Sequence, residues 1–219
     1  MASSRSSVVR VVLWVVGTAL VLGVGFAAWI AVPILTGSPQ GSSGQERDVR
    51  GFPLEVSAIG DDGRERFLSV TPPSPDRGLD EVRAGDRLIV SGRGYDPSSG
   101  VYVAVCQVPS EVDGKPGPCL GGVGSTDEGE AIANVIEYGA SNWINDDWAW
   151  RLFGARSFDD REAGTFKAYI AMPEVSDGTV DCGVVRCGLY TRNDHTALED
   201  RVQDIYIPVS FEGAAPFAK

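Results

Sequence analysis

The sequence predicts an all-β domain, a seven-stranded immunoglobulin-like sandwich or barrel with two local disulfides, preceded by one N-terminal transmembrane helix. Three observations carry that expectation. Residues 11–35 hold no charged side chain, the chain from Phe52 onward is a run of short apolar segments broken by turn residues, and all four cysteines fall in that second part.

The N-terminal run comes first. A helix of about 20 residues crosses the roughly 30 Å hydrocarbon core of a bilayer, so residues 11–35 are long enough to span. A cleaved signal peptide is the other reading, with Gly25 and Ala27 before a cut, but Trp29, Ile30, Val32, Ile34 and Leu35 carry the apolar run past that point. Arg5 and Arg10 flank one end and a mixed set, Glu46, Arg47, Asp48 and Arg50, follows the other. The bias of basic residues toward the inner side then puts residues 1–10 in the cytoplasm, with the C-terminal domain of a single-pass cell-membrane protein outside. Residues 36–51 are rich in Gly, Ser and charge and read as a flexible linker.

Residues 52–212 form the expected domain, with 213–219 a tail. Strands are expected at 54–59, 67–70, 88–91, 101–107, 131–137, 166–172 and 205–211, each apolar and bounded by turn residues. Seven such segments suit a sandwich. Period-two alternation supports them: Leu88 and Val90; Val101, Val103 and Val105; Phe166, Ala168 and Ile170; Ile205, Ile207, Val209 and Phe211. Pro208 removes a ladder donor and places the last strand at an edge or the proline at its unpaired side.

Residues 139–160 stand apart as an insertion holding Trp143, Trp148 and Trp150, three of the five tryptophans. A helix over 142–153 is expected there, capped by Ser141 and ended by Gly154. Its apolar residues fall on two sides, Ile144, Trp148 and Leu152 against Trp143, Trp150 and Phe153, so it needs two surfaces to pack on. One is the sandwich; the other is a membrane, a partner, a ligand or a neighbouring loop.

Arg5 and Arg10 are the only charges before Thr36, which leaves 17 of the 19 basic side chains against 30 acidic ones. That balance repels phosphate backbones and excludes nucleic acid as a partner. In an oxidising compartment four cysteines read as two disulfides; the gaps of Cys106 to Cys119 and Cys182 to Cys187 do not match the paired spacing of structural zinc ligands.

The stretch VSGRGYDPSSGVYVAVCQ over 90–107, Cys119, and SDGTVDCGVVRCGLYT over 176–191 together resemble the neocarzinostatin family of actinobacterial apoproteins. The resemblance covers about residues 67–211, and the second cysteine motif is the more specific. It implies a seven-stranded immunoglobulin-like barrel, pairing of Cys106 with Cys119 and of Cys182 with Cys187, and a cleft that carries an apolar small molecule. Cysteines close in sequence and flanked by Gly or Pro favour the same pairing. Tyr190 and Thr191 match the family's cleft positions. The Trp-rich insertion and the absence of a Phe-rich loop ahead of Gly178 depart from it, so Trp143, Trp148, Trp150 and Phe153 are taken as replacement cleft walls or as an interface.

No motif for catalysis stands out. His195 follows Asp194 in a polar loop, but there is no G-x-S-x-G elbow to orient a nucleophile. The acidic pairs Asp61-Asp62, Asp146-Asp147, Asp159-Asp160 and Glu199-Asp200 lack both a calcium-loop pattern and the fixed separation of glycosidase carboxylates. The expectation is a non-enzymatic protein with no metal or cofactor. It acts as an interaction or accessory module of the cell envelope, anchored by its helix, or alternatively as a carrier for an apolar small molecule.

Overall fold

The computed structural model describes residues 10, 12–25, 40–111, 113–121 and 137–214. It divides into two units, Met1–Ser38 and Pro39–Lys219. The first carries helix α1 over 12–25, its side chains exposed. Among the described residues no helix is long and apolar enough to cross a membrane, which overturns the expected transmembrane helix and the single-pass location built on it. Residues 11 and 26–35 of the expected span lie outside the described residues.

The second unit is all-β, in two four-stranded antiparallel sheets. One runs β1 (Glu55–Ile59), β2 (Glu65–Thr71), β3 (Arg87–Arg93), β6 (Phe166–Ala171); the other runs β5 (Ser141–Ile144), β4 (Val101–Gln107), β7 (Cys187–Asn193), β8 (Tyr206–Val209). The expected count of seven is corrected to eight among the described residues. Strands stand where 54–59, 67–70, 88–91, 101–107, 166–172 and 205–211 predict them, while residues 131–136 lie outside the described residues.

Two strands were not foreseen. β7 pairs with β4 over seven positions and with β8 over four, and its outer side chains are covered too, so it shows no polar alternation. β5 replaces the start of the expected helix: residues 141–144 pair with the edge of β4, and the helix is reduced to α2 (Trp148–Arg151). Asp147, not Ser141, caps it, accepting from the Ala149 N–H at 2.9 Å.

The core lies between the sheets. Leu68, Leu88, Val90, Phe166, Ala168 and Ile170 from one face meet Val101, Val103, Val105, Leu189, Ile205 and Ile207 from the other, all essentially inaccessible to water. Cys106 is bonded to Cys119 and Cys182 to Cys187. Pro208 sits on β8, an edge strand.

The expected linker is corrected from Gln40 onward, because its polar groups have partners on the sandwich. Gln40 and Arg201 exchange backbone bonds with their neighbours across the loop, through Gln40 N–H to Glu199 O and Arg201 N–H to Gln40 O. The Gln45 side chain takes both backbone groups of Tyr206, donating to its carbonyl at 2.8 Å and accepting from its N–H at 2.7 Å. Residues 40–49 thus form a strap along β8.

Candidate functional site

The outer face of the β5-β4-β7-β8 sheet carries side chains that the core does not use. Because side chains alternate, Tyr102, Ala104 and Cys106 of β4 and Gly188, Tyr190 and Arg192 of β7 point outward. Register then aligns Trp143, Tyr102 and Arg192 in one row across three strands, with Ala104, Tyr190 and Tyr206 in the next.

The first row is the floor of an aromatic cluster. Trp143 lies 5.8 Å from Tyr102 and 5.6 Å from Trp150 between ring centroids, and Phe153 packs 6.3 Å from Trp150. His195 is wedged among them, edge-on to Trp150 at 4.6 Å and 5.2 Å from Trp143, its Nδ1 3.0 Å from the Tyr102 hydroxyl. The Arg192 guanidinium stands 5.8 Å above the Tyr102 ring and donates to Pro116 O at 3.1 Å.

A buried carboxylate fixes this cluster from beneath. Asp194 is 0% exposed and accepts from Trp143 Nε1 at 2.8 Å, Asn145 Nδ2 at 2.7 Å, Thr196 N at 2.8 Å and Thr196 Oγ1 at 2.5 Å. Gly100 makes room for it: a Cβ there would fall 1.9 Å from Asp194 Oδ2. Asp194 and His195 are adjacent in sequence, yet the carboxylate serves Trp143, Asn145 and Thr196 while the imidazole meets a phenol. Burial and the Asp194 charge push the Tyr102 hydroxyl above the ordinary tyrosine range.

The second row borders a cleft of about 50 Å³ between the strap, the disulfide loop around Pro116, and the stacked rings of Tyr190 and Tyr206, 4.7 Å apart. Arg201 and Asp204, both buried, line it and form an ion pair at 2.8 Å. Burial pushes the Asp204 carboxyl up to about 7 against the pull of Arg201 and Arg192. Burial also lowers Arg192 and raises Tyr190 and Tyr206.

The six expected site residues therefore divide. Trp143, Trp150 and Phe153 come together in the aromatic cluster. Trp148 projects away, 75% exposed. Tyr190 lines the cleft. Thr191 faces the core instead, its hydroxyl donating to Gln203 O at 2.8 Å and lying 3.0 Å from the Tyr95 hydroxyl, because it sits one residue from Tyr190 on a strand. Sequence reasoning missed Tyr102, Arg192, Arg201 and Asp204. Tyr102 and Arg192 carried a usable signal, since each interrupts an inward-facing alternation with a bulky polar group. Among the described residues no group of three or more His, Cys, Asp or Glu side chains is placed to hold a metal ion.

No protein-family model matches the chain, and no curated protein does. Among solved structures, the chain is similar to macromomycin. The two are 19% identical over 66% of this chain and 98% of that one, with a TM-score of 0.35. The likeness to macromomycin is a distant one and bears on neither ligand nor location.

Proposed function

We propose that this protein is a binding module without chemistry of its own, and that the outer face of the β5-β4-β7-β8 sheet holds an aromatic or apolar small molecule. The observation that carries the reading is the row Trp143-Tyr102-Arg192, extended by Trp150 and the exposed Phe153, in which the Trp143 indole and the Arg192 guanidinium are held by hydrogen bonds within the protein. Strands set the spacing, Asp194 holds the Trp143 indole, and Arg192 is tied to the Pro116 carbonyl. Rings locked this way lose little freedom on binding, and apolar walls with a few placed polar groups suit small ligands.

Native mass spectrometry of the full-length protein purified from its own host tests the reading. A reproducible adduct of a few hundred daltons, lost in Trp150→Ala, is expected. An adduct-free protein that also fails to bind biphenyl and naphthalene probes would overturn it.

A second reading, a protein-interaction module, draws on a different observation. Trp148, Leu152 and Phe153 are 75%, 75% and 70% exposed within six residues, and aromatic anchors dominate protein contacts. A stoichiometric protein partner lost in Trp148→Ala, with no adduct, would favour it.

A further inference from the structure

The outer face of the opposite sheet, β1-β2-β3-β6, carries a line of cations. Outward side chains of its paired strands stand in rows: Phe67 beside Arg93, then Ser69, Ser91 and Lys167, then Thr71, Ile89 and Tyr169, then Arg87 beside Ala171. Arg156, next to β5, lays its guanidinium over the Tyr169 ring, 4.9 Å from the centroid. Each row therefore holds one cation, Arg93, Lys167, Arg156 and Arg87 in turn, and all are exposed. Successive rows are about 7 Å apart, so the line runs about 20 Å along β3 and β6.

These cations differ from ordinary solvated charges in two respects. Among the described residues none of them forms an ion pair. Asp86, next to Arg87 in sequence, is taken by Arg77, and the carboxylates of the face's own strands, Glu55 and Glu65, stand on β1 and at the start of β2. The chain as a whole has a net charge of −11, so an uncompensated cationic line runs against its average. Three of the cations are also seated on rings: Arg93 on Phe67 at 3.9 Å, Arg156 on Tyr169 at 4.9 Å and Arg87 on Tyr138 at 5.1 Å. A guanidinium held over a ring loses less freedom on binding and keeps N–H donors for a carboxylate, which it can take bidentately.

We propose that this face docks an extended acidic peptide segment of a partner protein, with carboxylates at alternate residues. Alternate side chains of an extended strand point the same way and recur about every 7 Å, which is the interval of the rows. A segment of about seven residues matches the line from end to end. A long polyanion would overrun it and meet the acidic remainder of the surface. The surface lies on the other sheet from the aromatic face and is independent of it.

Fluorescence anisotropy of labelled peptides on the full-length protein tests the docking. One peptide alternates glutamate with threonine; the other has the same composition with its glutamates in one block. In low salt the alternating peptide is expected to bind about threefold tighter than the block peptide, and its affinity should fall about tenfold between about 20 and about 150 mM salt. Lys167→Glu, at an exposed position off any ring, should weaken it about fivefold, whereas Arg50→Glu, the same change of charge away from this face, should leave it unchanged. The peptide comparison needs no variant and decides alone should Lys167→Glu fail to fold. Absence of saturable binding in low salt, equal affinity for the block peptide, or an equal loss in Arg50→Glu would each overturn the proposal. Tighter binding of an oligogalacturonate of equal charge would overturn the peptide as occupant and give the line to an acidic polysaccharide.

Discussion

Replacing Asp194 by alanine should loosen the aromatic face at its root. The side chain is wholly buried and receives four hydrogen bonds, from Trp143 Nε1, Asn145 Nδ2 and two groups of Thr196. Asn145 is itself buried, so its Nδ2 donor would lose its acceptor, at about 1 to 3 kcal/mol, while its Oδ1 keeps the Asp147 N–H; Trp143 and Thr196 are more open, and water recovers most of their loss. The sum is about 3 kcal/mol. For a unit of this size each kcal/mol moves the melting temperature by roughly 2 to 4 °C, so Asp194→Ala should melt about 6 to 12 °C lower. Differential scanning calorimetry reads the loss, and a red shift of tryptophan emission reads the release of the Trp143 indole. Asp194→Asn keeps the volume but turns an N–H toward donors, and about 2 kcal/mol of the loss should remain. If Asp194→Ala unfolds within 0.5 kcal/mol of the parent with unchanged emission, the carboxylate does not hold the cluster and the argument for a preset face fails.

Burial raises the Asp204 carboxyl from its ordinary range to about 7, so the folded state binds that proton more tightly than the unfolded chain. Its contribution to stability is complete below about pH 4 and is lost as pH rises through about 7; urea unfolding from pH 4 to 8 should show this decline, and Asp204→Asn should flatten it. Removing the two disulfides should have unequal effects, about 3 kcal/mol for Cys106–Cys119, which closes 13 residues, and about 2 for Cys182–Cys187, which closes 5; double Cys→Ser variants compared by urea unfolding check the order. Trp148→Ala removes an exposed ring and should change stability by less than 0.5 kcal/mol, whereas Gly100→Ala drives a methyl into Asp194 and should lower the melting temperature as Asp194→Ala does.

The sandwich was legible where burial is one-sided. β2, β3 and β6 alternate between core and partly open positions, so their apolar residues recur every second place. β7 was not legible because both its faces are covered: Leu189 and Thr191 enter the core while Tyr190 and Arg192 lie under neighbours, and its Gly, Thr and Arg read as loop. The expected helix over 142–153 followed a capping Ser141 and a terminating Gly154, but β4 offers a free edge to residues 141–144, and tertiary pairing outweighs a local preference. The same cause split the candidate site. Trp143, Trp150 and Phe153 could be grouped by composition, while Arg192, Arg201 and Asp204 join them only through strand register and the β7–β8 loop, neither of which is written locally. For the N-terminal apolar stretch the expected span is not borne out, since among the described residues no helix is long and apolar enough to cross a membrane.

Gln45 occupies a place that a ninth strand would otherwise claim. Its amide copies a peptide group, meeting the N–H and C=O that Tyr206 presents at the border of its sheet. Unprotected borders of this kind recruit other chains. A protease that nicked the strap between Gln40 and Val49 would thus do two things at once: strip a wall from the cleft and leave a sticky margin open to a second molecule. Self-association should consequently appear on limited digestion, at the rate at which the strap is cut.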